Sequence, residues 1–174
     1  CNFVHGDVNS PNVLVTDTMV AKVCDFGMSS FCARAADGSG RERQRDPFAL
    51  VHGFSLPWAA PELLSGRAPC ATFESDVYAF GIVLWELCSC ERPFGAVETR
   101  RIAALVHGGR RPDLALVRRH EARSRAVPLE LTDLIERCWR HDPARRPTME
   151  DILHVIQLLQ TTGADLYTPL SKDV

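Results

Sequence analysis

Residues 5–12 read HGDVNSPN and residues 25–27 read DFG, and the rest of the chain is organised around these two stretches. The first stretch supplies a carboxylate, Asp7, that can orient a hydroxyl proton, and an amide oxygen on Asn12. The second stretch supplies another carboxylate, Asp25. Carboxylate and amide oxygens suit a hard cation that keeps several of its waters. We therefore expect Asp7, Asn12 and Asp25 to converge on one cavity that handles such a cation.

Two β-prone runs lie between these stretches and predict the element that joins them. Residues 13–15 and 21–24 are short and mostly apolar, and residues 16–19 between them can form a turn. Such a pattern favours an antiparallel hairpin. The hairpin would bring Asn12, at one end, near Asp25 at the other.

The strongest helical pattern predicts a central helix at residues 76–90. This segment is apolar on nearly every side, Leu87 included, and a helix of that kind lies inside a core. Thr72 or Ser75 can cap its first turn, where Asp76 is also favourably placed.

Three shorter helices are predicted after the central helix. Apolar residues recur at helical spacing around residues 102–106, 131–139 and 152–159, and Thr148 and Asp151 form a capping box before the last of these. The predicted fold class is mainly α (α+β). We expect a helical bundle around a buried central helix, with a short β-hairpin at the catalytic face.

Composition narrows the class of protein. A chain of 174 residues with a net charge of −2 is long enough for one core and gives no reason to expect nucleic acid as the main partner. Its seven scattered cysteines lack metal-ligand spacing, which favours a reducing compartment, the cytoplasm. The longest apolar run, residues 77–87, contains Glu86 and is too short to span a bilayer.

The order of three motifs carries a resemblance to a known family. HGDVNSPN is similar to the protein-kinase catalytic loop H-R-D-L-x-x-x-N, DFG follows it, and residues 60–62 read APE. Residues 3–160 therefore resemble the C-terminal lobe of a protein kinase. Residues 9–15 (NSPNVLV) and 84–87 (LWEL) look most like the tyrosine-kinase-like group.

The resemblance implies a domain organisation. It predicts a partial kinase domain at residues 1–160, an activation segment at residues 25–62 and a flexible tail at residues 161–174. Within the activation segment, residues 33–47 are charged and rich in small residues, which predicts a long mobile loop. The loop is either a solvated insertion or a regulated gate with Ser29, Ser30, Ser39 and Ser55 as possible phosphoacceptors.

The resemblance also implies roles for named residues. Such an enzyme transfers the γ-phosphate of ATP to a hydroxyl of a protein substrate, mainly by positioning and by cancelling phosphate charge. Asp7 would act on the hydroxyl proton, and Asn9 would donate a hydrogen bond to the γ-phosphate. Asn12 and Asp25 would hold Mg²⁺ against ATP, and Cys24 would line the floor of the nucleotide pocket.

Structural supports follow from the same resemblance. Asp76 would accept hydrogen bonds from the backbone of His5 and Gly6, and Arg146 would pair with Glu62.

A basic stretch at residues 110–125 admits two interpretations, a phosphate-binding surface or a solvated face. The solvated face is favoured, because acidic residues interrupt the stretch and no aromatic residues are interleaved.

The sequence departs from the family pattern at several positions. Gly6 replaces the catalytic-loop arginine, so a phosphorylated activation segment could not use that contact, and Asn9 replaces the lysine of Ser/Thr-specific kinases. No Gly-rich loop or V-A-I-K lysine precedes His5, so we expect the N-terminal lobe upstream of a fragment that transfers no phosphate by itself. We favour Ser/Thr over Tyr as the acceptor. The alternatives are a pseudokinase or protein-binding scaffold, and a truncated gene product without function.

Overall fold

The structure is a computed structural model that describes residues 3–31, 55–68, 70–121 and 127–161. The expected mobile loop at residues 33–47, Ser39 within it, and the expected tail after residue 161 lie outside the described residues. The described elements are β1 (Phe3–Val4), β2 (Val13–Val15), β3 (Ala21–Val23), β4 (Ser30–Phe31), α1 (Pro61–Leu64), α2 (Phe73–Ser89), α3 (Thr99–His107), α4 (Leu114–Glu121), α5 (Leu129–Cys138) and α6 (Met149–Thr161).

The β-strands form two small antiparallel sheets. β2 pairs with β3 so that Val13 lies opposite Val23, which confirms the predicted hairpin. Its turn contains Met19 at φ 60°. β1 pairs with β4, with Phe3 opposite Phe31. This pairing connects the chain before residues 5–12, here called the catalytic-type loop, to the chain after DFG.

The central helix α2 is the middle of the core, as the apolar pattern predicts. Tyr78, Ile82 and Trp85 are buried within it, and the helix packs against α4 and α5. Two details of the prediction are wrong. The helix begins at Phe73 rather than Asp76, because Thr72 and Ser75 form a reciprocal capping box. Leu87 is 70% exposed, because it lies on the solvent side of the last turn, whose Ser89 is fully buried.

The amphipathic helices lie around α2 as predicted. Ile102 and Val106 bury the inner face of α3, Leu134 and Ile135 bury that of α5, and Ile152 is buried on α6. The capping box before α6 is also present: Thr148 N donates to Asp151 Oδ2 at 2.9 Å and Asp151 N donates to Thr148 Oγ1 at 3.1 Å. The structure therefore confirms the predicted fold class.

One arginine of the basic stretch, Arg111, departs from the solvated face that the sequence favoured, whereas Arg110 is exposed as expected. Arg111 is half-buried, and its Nε donates to the carbonyl oxygen of Trp139 at 2.8 Å. The guanidinium also lies 5.0 Å from the centre of the Tyr78 ring. Arg111 is therefore a packing residue, because its planar group satisfies a backbone carbonyl and stacks on an aromatic ring at once. Residues 122–126 of this stretch, and the side chains of residues 118–121, lie outside the described part.

No helix in the described ranges is both long enough and apolar enough to cross a bilayer.

Candidate active site

The loop at residues 5–12 is held from below by one carboxylate of the central helix. Asp76 Oδ2 accepts from the backbone N–H of His5 at 2.7 Å, and Oδ1 accepts from that of Gly6 at 3.0 Å. This confirms the expected anchor. Burial raises the pKa of Asp76, and the two backbone hydrogen bonds offset part of that effect. One carboxylate thus fixes two consecutive peptide groups directly before Asp7.

Histidine 5 continues this support towards DFG. Its Nε2 lies 3.1 Å from the carbonyl oxygen of Cys24, and its Nδ1 accepts from the backbone N–H of Asp7 at 3.3 Å. These partners assign the proton to Nε2, since Nδ1 acts as the acceptor. The imidazole ring therefore ties the loop to the residue before Asp25. Phe26 packs on the same ring, with centroids 4.9 Å apart.

Asp7 and Asn12 are in direct contact. Asn12 Nδ2 donates to Asp7 Oδ2 at 3.2 Å and to the Asp7 carbonyl oxygen at 2.9 Å. The other carboxylate oxygen, Oδ1, accepts from the backbone N–H of Ser55 at 3.3 Å. Asp7 is thereby oriented from two sides, once by the loop itself and once by the segment before APE.

Asn9 is buried, only 2% exposed, and lies beneath Asp7. Its Nδ2 donates to the Asp7 carbonyl oxygen at 3.0 Å and to Ser55 Oγ at 3.1 Å. Its Oδ1 accepts from the backbone N–H of Asn12 at 3.0 Å. The hydrogen bond that the resemblance implied to a γ-phosphate would require this amide to exchange one of these partners.

Asp25 follows the hairpin that joins the two motifs. The backbone N–H of Cys24 donates to the carbonyl oxygen of Asn12 at 2.9 Å. The backbone of Asp25, the next residue, therefore lies close to that of Asn12. Asp25 itself has left-handed backbone angles, φ 61° and ψ 71°, and its Oδ1 accepts from the Gly27 N–H at 3.2 Å. Within the described ranges, no hydrogen bond joins the Asp25 carboxylate to Asp7 or Asn12. Cys24, which directly precedes Asp25, is half-buried.

The oxygen donors of this site are few. Among the residues that the structure describes, no group of three or more His, Cys, Asp or Glu side chains is arranged to hold a metal. One carboxylate, Asp25, and one amide, Asn12, remain, and both are oxygen donors. That set fits Mg²⁺ bound together with a phosphate ligand, because Mg²⁺ is usually held by one or two carboxylates, waters and substrate phosphates.

Two of the serines considered as phosphoacceptors are engaged in this site. Ser29 Oγ donates to the His5 carbonyl oxygen at 3.0 Å, and Ser55 contacts both Asp7 and Asn9 as described above. The backbone of Ser30 belongs to β4. The hydroxyls of Ser29 and Ser55 therefore help to hold the activation-type segment against the catalytic-type loop.

Glu86 is a site residue that the sequence interpretation missed. Its Oε1 accepts from Ser10 Oγ at 3.1 Å and its Oε2 accepts from Trp58 Nε1 at 2.7 Å. Burial raises its pKa. Glu86 thus links the catalytic-type loop to the segment before APE. Its signal in the sequence was a lone charge within the apolar run of the central helix.

Glu62 of APE pairs with Arg146, as the resemblance implied. Arg146 Nη1 and Nη2 donate to Glu62 Oε1 and Oε2 at 2.7 and 2.8 Å. The guanidinium makes further hydrogen bonds to the carbonyl oxygens of Glu74, Arg140 and His141. The end of the activation-type segment is therefore fastened to the loop between α5 and α6.

Comparison with known families decides the identity of this arrangement. The family described as protein tyrosine and serine/threonine kinase matches residues 1–156. The chain belongs to the protein kinase family. In kinase terms, Asp7 and Asn12 stand at the catalytic-loop positions, Asp25 at the DFG aspartate and Glu62 at the APE glutamate.

Curated kinases are similar to most of this chain. It is 32% identical over 155 residues to a probable serine/threonine-protein kinase of Dictyostelium discoideum, covering 88% of the chain and 14% of that protein. It is 33% identical over 157 residues to the serine/threonine-protein kinase CTR1 of Arabidopsis thaliana, covering 90% and 17%. It is 31% identical over 169 residues to mitogen-activated protein kinase kinase kinase 7 of Mus musculus, covering 94% and 25%. The chain thus spans a quarter or less of the length of these relatives.

The kinase arginine position is occupied by Gly6, and the structure gives a local reason for glycine there. Gly6 has φ +83°, and a Cβ atom at this position would lie 2.8 Å from the carbonyl oxygen of Met28. A non-glycine residue would be strained at that φ and would press on the segment after DFG. This chain therefore combines an anchored loop at residues 5–12 with the absence of a cationic side chain at position 6.

Proposed function

We propose that these residues form the acceptor and metal-binding side of a protein kinase that transfers the γ-phosphate of ATP to a serine or threonine hydroxyl. The observation that carries the proposal is the orientation of Asp7. Its carboxylate accepts from the Asn12 amide and the Ser55 N–H, and its backbone N–H donates to His5 Nδ1. A carboxylate fixed in this way can accept a hydrogen bond from a substrate hydroxyl and orient it for attack.

The remaining residues would divide the other tasks. Asn12 and Asp25 would hold Mg²⁺, which supplies charge neutralisation to the ATP phosphates when bound. Cys24, next to both, would lie at the floor of the nucleotide site. The hydrogen bond between Asn9 and Ser55 would hold the catalytic-type loop against the segment before APE. Serine or threonine is favoured as the acceptor for two reasons. A hydroxyl side chain, Ser55, bonds to Asn9 beside Asp7, and two of the relatives above are named serine/threonine-protein kinases.

The proposed domain boundaries and compartment complete this picture. The kinase region would be residues 1–160, with the activation segment at residues 25–62. The cysteines that the structure describes are free thiols, which fits the cytoplasm. The Gly-rich loop and the β3 lysine are not found in these 174 residues, so we propose that residues 1–174 transfer no phosphate by themselves.

Phosphotransfer from radiolabelled ATP tests the proposal. The assay compares residues 1–174 with the full-length gene product, each with and without Mg²⁺. Full-length protein should label itself or a generic substrate on serine or threonine, and Asp7→Asn and Asp25→Asn should abolish the labelling. Asp17→Asn, which changes an exposed carboxylate in the β2–β3 turn, is the matched control and should keep activity.

A pseudokinase is the second candidate, and Asn9 is the observation that favours it. Both hydrogens of its amide are used within the loop, and the family's lysine charge is missing there. Full-length protein that binds ATP and Mg²⁺ but labels no substrate would support this candidate. Phosphotransfer that persists in Asp7→Asn would contradict the catalytic assignment outright.

A further inference from the structure

A basic cavity lies on the side of the molecule where α5, the following loop and α6 meet. Its volume is about 310 Å³. Its lining includes Arg137, Arg140, Arg145, Arg146 and Asp151. Four guanidinium groups and one carboxylate in one cavity contrast with the net charge of −2 of the whole chain. None of the roles assigned above to the catalytic loop, DFG or APE uses this cavity except through Arg146.

Two of the four arginines are already neutralised. Arg146 has a fully buried side chain and pairs with Glu62, while Arg137 pairs with Asp133 at 2.8 Å. Their charges are therefore compensated, and they form the wall of the cavity rather than its recognition groups. The uncompensated cations are Arg140 and Arg145, both of which are exposed.

The loop that carries Arg140 and Arg145 is fixed before any ligand arrives. Arg146 donates to the carbonyl oxygens of Arg140 and His141 at 2.9 and 3.3 Å. Arg140 Nη1 donates to the carbonyl oxygen of Arg145 at 2.9 Å. No described residue pairs with the Arg145 guanidinium. A rigid mount reduces the entropy that is lost when such side chains bind a ligand.

The lining indicates which ligand chemistry fits. Planar guanidinium groups match phosphate oxygens through paired, charge-assisted hydrogen bonds. Sites for drug-sized molecules are mostly apolar, whereas this lining is mostly charged. Asp151 is the one carboxylate of the lining, and its Oδ2 already accepts from both the N–H and the hydroxyl of Thr148. A concave site also suits a projecting side chain better than the flat surface of a membrane.

We propose that this cavity binds the phosphate group of a phosphorylated serine or threonine on a protein partner, with Arg140 and Arg145 as the residues that contact the phosphate. The cavity is then a docking site separate from Asp7 and from the metal-binding residues. It does not depend on the proposed phosphotransfer activity, because binding can be measured on the purified chain without ATP.

Fluorescence anisotropy with a labelled phosphoserine peptide tests the proposal. Residues 1–174 should bind the peptide, and the affinity should fall as salt is added. The double variant R140Q/R145Q should weaken binding by about tenfold or more, as expected when charge-assisted hydrogen bonds are lost. R100Q/R101Q removes the same charge from the exposed face of α3 and should bind like the parent chain.

Arg145→Gln alone guards against loss of folding. Its guanidinium has no described partner, so circular dichroism should be unchanged while the affinity falls. Equal binding of the unphosphorylated peptide, or equal loss in the control R100Q/R101Q, would overturn the proposal. Inorganic phosphate that binds as tightly as the peptide would show that the peptide is not the ligand. Binding to phosphatidylserine vesicles but not to the peptide would assign the cavity to a membrane instead.

Discussion

Replacing Glu62 by Met should destabilise this kinase fold severely, because it strands a buried cation. The Arg146 side chain is 0% exposed and that of Glu62 is 13% exposed. Both guanidinium nitrogens of the pair donate to the carboxylate, at 2.7 and 2.8 Å. Removing one partner of such a buried pair costs about 3–5 kcal/mol of unfolding free energy. Glu62→Met should therefore lose about 4 kcal/mol, a large fraction of the roughly 5–15 kcal/mol that stabilises a typical domain.

Arg146→Met should cost at least as much as Glu62→Met. The guanidinium also donates to the carbonyl oxygens of Glu74, Arg140 and His141, and the variant leaves these acceptors without that donor. The double variant E62M/R146M removes both charges together. Its loss should be smaller than the sum of the single losses by several kcal/mol, because neither charge is left alone in the core.

Urea denaturation followed by tryptophan fluorescence measures these differences. With a slope of about 2 kcal/mol/M, a loss of about 4 kcal/mol lowers the midpoint by about 2 M. Glu98→Met is the matched control: it breaks an ion pair with Arg100 whose side chains are 54% and 81% exposed. Such a pair is worth about 0–1 kcal/mol. Equal losses for Glu62→Met and Glu98→Met, or strict additivity in the double variant, would refute the reasoning.

Three further predictions concern backbone and core positions. Tyr78→Phe should leave unfolding free energy unchanged or higher at neutral pH, because the buried hydroxyl has no hydrogen-bond partner among the described residues. Burial raises the Tyr78 pKa from 10.0 to about 12, so the parent should lose stability as pH rises from 10 to about 12, and denaturation curves should show less of that loss in Tyr78→Phe. Gly81→Ala should lower the melting temperature, because the added Cβ would lie 2.6 Å from Cys138 Cβ and would push α2 and α5 apart. Overpacking of this kind costs about 1–3 kcal/mol of unfolding free energy. An unchanged melting temperature would contradict this packing. Gly6→Ala should destabilise more than Gly66→Ala in urea, because both have positive φ but only Gly6 has a close neighbour, a carbonyl oxygen at 2.8 Å.

Local patterns predicted the elements of this fold, and motif order predicted the anchors. Turn residues predicted the β2–β3 hairpin, and continuous apolar residues predicted the buried helix α2. The pairing of Glu62 with Arg146 came from the family resemblance, since 84 positions separate the two residues and no local pattern joins them. The same distance problem explains why Glu86 was missed as a bridge. A lone glutamate on an apolar helix has no visible partner until the loops on both sides are placed in space.

Composition misled where one side chain has two uses. Arg111 lies in a stretch with many arginines, and charge counting favours solvent for all of them. The structure gives it a backbone carbonyl and an aromatic face, so it is half-buried. Leu87 shows the opposite error. The helix is apolar at this position, but Leu87 lies on the solvent side of the last turn, whereas Ser89 in the same turn is buried.

The departure at Gly6 can be reconciled with an ordered catalytic loop. The anchor on Asp76 uses the backbone N–H groups of His5 and Gly6, so it does not depend on the side chain at position 6. The left-handed φ of +83° and the nearby Met28 carbonyl oxygen both favour glycine. Asp7 remains oriented by Asn12 and by the Ser55 N–H. Replacing the family's arginine therefore removes a charge that could meet a phosphate on the activation segment, while the geometry around Asp7 stays in place.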